Sequence, residues 1–176
     1  RRQRQMCIRD SNKVIVKTQI PNLFIIPTSM DLAVVEQEFV NIEKREERLK
    51  KEIEKINTPF DYILIDCPPS LGLLTLNALV ACKNLLVPLQ VEFYALEGLT
   101  QLMKTIDRIK INLNPNLEIQ GILLTMYDRR NKLSSQVEQE ARNYFKEKVY
   151  QTVIPRNVRL SEAPSHGVPV LIYDKN

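Results

Sequence analysis

Residues 60–70, Phe-Asp-Tyr-Ile-Leu-Ile-Asp-Cys-Pro-Pro-Ser, are the stretch that decides the expected fold of this chain. Within it, Tyr62–Ile65 is an apolar run without the alternation of a strand that is wet on one face. The run therefore predicts a parallel strand covered by helices on both faces. Pro68 and Pro69 end that strand, because proline cannot donate to a hydrogen-bonded ladder. Asp66 is then expected at the strand's carboxyl end, where open α/β sheets bind ligands and where a carboxylate can hold a hydrated Mg²⁺ that bridges nucleotide phosphates.

The rest of the chain alternates apolar runs and helical stripes, which predicts an α/β fold with a doubly wound, mostly parallel sheet and helices on both faces. Ser70 is expected to cap a helix over residues 71–81. Further strands are predicted at residues 23–26, 84–89, 118–125, 151–154 and 168–173. Further helices are predicted from Ser29 or Asp31 to about Val40, and over residues 42–56, 95–113 and 133–148.

Composition gives an ordinary globular balance over 176 residues, with 44% hydrophobic and 26% charged residues. No run reaches the roughly 18 apolar residues that a membrane helix needs, so no membrane partner is expected. The three cysteines are too few and too unevenly spaced for a disulfide framework or a zinc site. This cysteine usage favours a reducing cytoplasm.

The first ten residues stand apart, because they hold four arginines and one aspartate of a chain whose net charge is +4. They show no helical or strand periodicity. We interpret residues 1–10 as a disordered or foreign flanking segment and residues 11–176 as one partial nucleotide-binding domain. A basic arm that binds nucleic acid is the alternative for residues 1–10.

Four blocks of sequence carry a resemblance to a known family. They are DYILIDCPPSLGLLTLNAL at 61–79, EFYALEGL at 92–99, GILLTMYD at 121–128 and TVIPRNVRLSEAPSHG at 152–167. In order and spacing they resemble the ParA/Soj family of chromosome- and plasmid-partitioning ATPases, which are deviant Walker P-loop ATPases. The resemblance extends from about Val14 to Asp174 and places Asp66 in the Walker B position.

Members of that family carry a glycine-rich phosphate loop, the Walker A loop, near the N-terminus and a final C-terminal helix. The four glycines of this chain stand singly, and none belongs to a Gly-Lys-Ser/Thr string. We therefore expect a fragment with an incomplete P-loop NTPase-like fold that lacks both features. The resemblance implies that the full-length parent hydrolyses ATP, whereas the chain alone is expected to be inactive.

The resemblance also implies where ligands bind. The loops at 126–128 and 155–158 are expected to help hold adenine, at the edge of the sheet where a purine would lie. The candidate nucleotide-binding residues are Met126, Asp128, Pro155 and Asn157. For Asn157, a plain turn role is equally compatible with the sequence. Asp66 is the candidate Mg²⁺ residue, and no catalytic residue is assigned.

Two basic clusters lie next to these loops, and the resemblance implies that Arg130 and Arg159 within them bind DNA without sequence preference. Contacts of this kind go to phosphates and should weaken steeply with salt. The alternative is a pair of solvated loops.

The resemblance finally implies a working cycle in the parent. ATP with Mg²⁺ would join two subunits into a homodimer, with residues 71–78 near the interface, and hydrolysis would release DNA. A centromere-binding protein of the ParB/Spo0J type would stimulate hydrolysis, and the protein would be cytoplasmic and nucleoid-associated. Two alternatives remain open: a MinD-like division-site ATPase with a membrane-binding C-terminal helix, and a non-catalytic dimerisation or DNA-binding module.

Overall fold

A computed structural model describes residues 14–28, 39, 42–68 and 70–174. These residues fall into two compact units. The N-terminal unit takes the described residues up to Lys83 together with Ile111–Leu117, and the sheet unit takes Asn84–Lys110 and the described residues from Glu118 onward. The predicted helix from Ser29 or Asp31 to Val40 and the flanking segment 1–10 lie outside the described residues.

The N-terminal unit opens with a short antiparallel pair, β1 (Val16–Lys17) and β2 (Phe24–Ile25). A 3₁₀ turn at Arg45–Glu47 then leads directly into helix α1 (Arg48–Ile53). Helix α2 (Leu73–Ala81) follows later in the chain. The strand predicted at 23–26 is thus confirmed as β2, but it pairs with β1 in a small sheet of its own.

Two buried asparagine side chains hold this unit together. Asn77 Oδ1 accepts a hydrogen bond from Leu49 N at 3.1 Å, and Asn77 Nδ2 donates to Arg45 O at 3.0 Å. Asn114 Nδ2 donates to Leu79 O at 2.8 Å and to Cys82 O at 2.7 Å. These bonds satisfy main-chain groups at the ends of α1 and α2 that the helices themselves leave unpaired.

The strand predicted at Tyr62–Ile65 is not formed, and this is the largest correction to the sequence analysis. Residues 62–68 are irregular, and the side chains of Tyr62 and Leu64 are 86% and 92% exposed. A parallel strand obtains its hydrogen bonds and its apolar cover from neighbouring strands and helices. Within the described residues no strand pairs with this run, so its apolar composition alone does not make it a strand. Asp66 accordingly lies in an exposed irregular segment.

The start of α2 also differs from the prediction. Its N-cap is Gly72, without a side-chain cap, and Ser70 instead accepts a hydrogen bond at its carbonyl from Thr75 Oγ1 at 2.5 Å. The charged helix predicted over 42–56 is formed only in the 3₁₀ turn and α1. The segment 42–56 has many charged residues and few apolar ones that could pack against neighbours. A helix over this segment would therefore lack tertiary support at its ends.

The sheet unit is built on three parallel strands in the order β3 (Asn84–Gln90), β4 (Glu118–Tyr127) and β5 (Val149–Pro155). Helix α3 (Ala95–Asn112) connects β3 to β4, and helix α4 (Lys132–Phe145) with a 3₁₀ turn at Lys146–Lys148 connects β4 to β5. All of these elements were predicted from the sequence. They form the alternating pattern of a parallel α/β sheet.

The core of the sheet unit lies around the central strand. Ile122 and Leu124 of β4 are fully buried, and side chains from all three strands and both helices complete the cluster. These are Val87, Leu89, Val91, Leu99, Val137, Ala141 and Val149. Burying a leucine or isoleucine in this way contributes about 1.5–3 kcal/mol, so the cluster is what fixes the strand ends in place.

The last part of the sheet unit is helical. Helix α5 (Val158–Glu162), a 3₁₀ turn at Ala163–His166 and helix α6 (Val170–Tyr173) follow β5. The strand predicted at 168–173 was therefore wrong. Main-chain bonds from Ile172 N and Tyr173 N to Pro169 O, at 2.9 and 3.0 Å, close a helical turn directly after the proline. That local bonding outweighs the β-branched composition of the segment. None of the described helices is long and apolar enough to cross a bilayer.

Candidate functional site

The predicted adenine loops leave the sheet side by side, at what we call the carboxyl edge of β4 and β5. Tyr127 and Pro155 are register partners at the ends of these strands, and Tyr127 O accepts a hydrogen bond from Arg156 N at 3.0 Å. Met126 adopts a left-handed backbone conformation, with φ of 53°, and its side chain is exposed. A non-glycine residue in this conformation is uncommon and re-aims the chain just before the loop.

Asp128 is held by a neighbouring arginine. Its Oδ1 accepts from Arg130 N at 3.0 Å and from Arg130 Nε at 3.1 Å, while its Oδ2 accepts from Arg130 Nη2 at 3.0 Å. These hydrogen bonds lower the pKa of Asp128 below its ordinary value and raise that of Arg130. Both groups are thus charged at neutral pH. The Arg130 side chain is nonetheless 91% exposed.

Asn157 begins the helix that follows β5. Its Oδ1 accepts a hydrogen bond from Arg159 N at 2.7 Å, which makes it the N-cap of α5. Within the part of the chain that the structure describes, its Nδ2 donates to no other group. The cap fixes the orientation of the carboxamide and leaves an amide donor exposed at the carboxyl edge. The turn role is therefore observed, and contact with a base stays a prediction.

Arg159 is surrounded by acidic and aromatic groups. Its Nη1 lies 3.0 Å from Glu162 Oε2, and its Nε lies 3.8 Å from Asp174 Oδ2. Glu162 Oε2 also accepts a hydrogen bond from the Tyr173 hydroxyl at 3.2 Å. The sequence analysis did not identify these partners. The Arg159–Glu162 spacing of three residues was a usable signal, whereas the approach of Asp174 depends on α6.

A second network joins helix α4 to the end of β4 and to the start of β5. A hydrogen bond from Tyr127, with Arg142 beside it, lowers the pKa of Glu138. Arg142 Nε donates to Glu138 Oε1 at 2.9 Å, and Arg142 Nη1 donates to Tyr150 O at 3.1 Å. Glu138 and Arg142 thereby connect the end of β4, helix α4 and the start of β5.

Asp66, the predicted Mg²⁺ residue, belongs to the N-terminal unit and is exposed. Among the described residues no group of three or more histidine, cysteine, aspartate or glutamate side chains could hold a metal ion. A lone exposed carboxylate nevertheless fits Mg²⁺, which keeps several waters and is bound by one or two carboxylates together with substrate phosphates. The structure therefore gathers Met126, Asp128, Pro155 and Asn157 at one edge of the sheet unit, whereas Asp66 belongs to the N-terminal unit.

Comparison with known proteins gives consistent matches. Residues 5–119 match a family model described as an AAA domain. The chain is 58% identical over 161 residues to the chromosome partitioning protein ParA of Caulobacter vibrioides, covering 90% of this chain and 60% of that protein. It is 53% identical over 161 residues to the sporulation initiation inhibitor protein Soj of Bacillus subtilis, covering 92% and 64%.

Among solved structures, the chain is similar to cobyrinic acid a,c-diamide synthase from Mycobacterium smegmatis, whose crystal structure holds an ATP analog and magnesium. The two are 35% identical with a TM-score of 0.78, over 87% of this chain and 62% of that one. This likeness confirms the predicted α/β class. The chain spans about three fifths of the length of the relatives it matches.

Proposed function

This chain belongs to the AAA-domain family that includes the ParA and Soj partitioning proteins, and from that membership we propose that the protein containing it is an ATPase that partitions a chromosome or plasmid. In this function the protein binds and hydrolyses ATP and binds DNA without sequence preference. The observation that carries the proposal is the high identity to ParA across nearly the whole chain. The relative with 58% identity is a chromosome partitioning protein, which does not favour the MinD-like alternative.

Nucleotide binding is assigned to the carboxyl edge of β4 and β5. Adenine offers ring-nitrogen acceptors and an exocyclic amino donor. The exposed Asn157 Nδ2 can donate to the former, and the Asp128 carboxylate can accept from the latter. Met126 supplies an exposed apolar side chain beside them. Pro155 fixes the backbone where β5 ends.

Asp66 is the residue assigned to Mg²⁺ with ATP. A magnesium ion bound there with its waters would neutralise charge on the terminal phosphates, which is the main requirement of phosphoryl transfer to water. A solved structure similar to this chain holds an ATP analog and magnesium, which supports the binding of both by the full-length protein. The contribution of this chain is an exposed carboxylate in an irregular segment.

DNA binding is assigned to Arg130 and Arg159. The turn over residues 128–132 carries three basic side chains and one acidic side chain, an excess of positive charge that suits a phosphate backbone. Arg130 extends into solvent despite its bond to Asp128. Such contacts position a protein on DNA without reading sequence.

The remaining parts of the proposal follow from the family. ATP would join two subunits into a dimer, with residues 71–78 near the interface. A ParB/Spo0J-like centromere-binding protein would stimulate hydrolysis, and the protein would work on the nucleoid in the cytoplasm. The exposure of Leu71, at the start of this segment, is compatible with an interface that forms only in the dimer.

The proposal is tested on the full-length protein with a fluorescent ATP analogue, with and without Mg²⁺, and by phosphate release. We expect Mg²⁺-dependent binding and slow hydrolysis, and we expect Asp66→Asn to reduce hydrolysis much more than nucleotide binding. Glu147→Gln, a neutralisation on the exposed turn after α4, serves as the control. A full-length protein that binds no nucleotide would contradict the proposal and favour the non-catalytic alternative.

A further inference from the structure

We infer that Glu162 and Asp174 restrain Arg159 and so hold the DNA affinity of the protein below the level that its arginines alone would give. This inference rests on the proposed DNA binding and adds the groups that regulate it. We call Glu162, Tyr173 and Asp174 the acidic clamp.

The clamp is built from two elements that follow β5. Glu162 lies one turn after Arg159 on α5, and its Oε2 is 3.0 Å from Arg159 Nη1. Asp174 follows α6 and places its Oδ2 at 3.8 Å from Arg159 Nε. The two carboxylates thus approach different nitrogens of the same guanidinium group.

Other groups hold the clamp in position. The Tyr173 hydroxyl donates to Glu162 Oε2 at 3.2 Å, and the Tyr173 ring stacks on His166 with centroids 4.8 Å apart. Asp174 N donates to Val170 O at 2.8 Å, which fixes the main chain that carries the carboxylate. The carboxylates are therefore placed by a folded segment and not only by flexible side chains.

This arrangement opposes phosphate binding for two reasons. Guanidinium binds phosphate best through a pair of parallel N–H donors. In Arg159 the Nε and Nη1 groups already face carboxylates, so a phosphate must displace them or bind with fewer donors. Two negative charges beside the arginine also repel the phosphate.

Arg130 provides an internal comparison. Among the described residues its one carboxylate partner is Asp128, which also occupies two donors, Nε and Nη2, but brings a single negative charge, and the Arg130 side chain is 91% exposed. Among the described residues Arg159 has two carboxylate partners, and its side chain is 57% exposed. We therefore expect Arg159 to contribute less to DNA binding than Arg130 until the clamp opens.

The test uses the full-length protein with ATP, Mg²⁺ and a labelled random-sequence duplex. Glu162→Gln and Asp174→Asn are each measured alone against Glu147→Gln, and together against the double variant Glu118→Gln, Glu147→Gln, so that each control makes the same change of charge at exposed positions away from the clamp. Exposed ion pairs are weak individually, so we expect the double clamp variant to bind DNA roughly threefold to tenfold more tightly at about 50 mM salt. Its plot of log affinity against log salt should steepen by up to about one unit, because Arg159 gains a phosphate contact.

The outcomes separate the inference from the function on which it rests. If the double clamp variant binds DNA no more tightly than the double control Glu118→Gln, Glu147→Gln, with the same salt slope, the clamp does not restrain Arg159 and the inference is wrong. Arg159→Glu tests the DNA site itself. If this variant loses DNA binding while the clamp variants bind like their controls, the proposed function stands and only the inference is wrong. Glu162→Gln keeps a side-chain acceptor for Tyr173, so it supplies the test if Asp174→Asn does not fold.

Discussion

Replacing Arg142 with methionine should loosen the start of β5 while leaving the apolar stem of the side chain in place. Arg142 makes three contacts, to Glu138 Oε1 at 2.9 Å, to Tyr150 O at 3.1 Å and to Gln151 O at 3.4 Å. Hydrogen bonds to charged groups contribute about 1.5–3 kcal/mol when well formed. The side chain is a quarter exposed and the third contact is long, so we expect a total loss of roughly 2 kcal/mol for Arg142→Met after solvent screening is allowed for.

The measurement is urea unfolding of the full-length protein, followed by circular dichroism, with the free energy taken from the midpoint and slope. Arg129→Met is the matched control, because Arg129 is exposed in the turn before α4. We expect the control to change the free energy of unfolding by less than about 0.5 kcal/mol. If Arg142→Met behaves like this control, the network between α4 and β5 does not hold the start of β5.

Three further predictions concern the core, the pH dependence of stability and the base site. Ile122→Ala, in a fully buried position of the central strand, should cost about 3–4 kcal/mol in the same unfolding assay, whereas Leu86→Ala, at a half-exposed position, should cost less than about 1 kcal/mol. Folding lowers the pKa of Glu138 from its usual 4.5, so the charged carboxylate stabilises the folded protein above about pH 4.5. The melting temperature should therefore fall as the pH drops below about 4.5, and the variant Glu138→Gln should lose this part of the pH dependence. Asn157→Asp keeps the helix cap but removes the amide donor, so it should weaken binding of the ATP analogue roughly tenfold with little change in melting temperature, while an unchanged affinity would assign Asn157 to capping alone.

The sequence predicted best where local pattern and packing agree. The strands β3, β4 and β5 and the helices α3 and α4 have apolar positions at the spacing of their own elements, and each buries that face within the sheet unit. Tyr62–Ile65 has an equally strong apolar pattern but no strand beside it among the described residues. Its structure depends on neighbours distant in sequence, which a local pattern does not specify.

The positions of the candidate site residues could be predicted from the sequence where they depend on the ends of the strands. Strand ends could be assigned, so Met126, Asp128, Pro155 and Asn157 could be expected at one edge. The acidic clamp could not be predicted, because Tyr173 and Asp174 reach Glu162 and Arg159 only through the helical turn of α6. The apolar run at 168–173 favoured a strand, and a strand would have sent those side chains elsewhere.

We propose above that this chain belongs to an ATP-dependent DNA-binding protein whose DNA contacts go through Arg130 and Arg159. The most direct measurement is the affinity of the full-length protein for random-sequence DNA, with ATP and Mg²⁺, over a range of salt concentrations. We expect the affinity to fall steeply with salt and to drop at least roughly tenfold in the double variant Arg130→Glu, Arg159→Glu. DNA binding that is independent of ATP, or equally tight in the double variant, would contradict it.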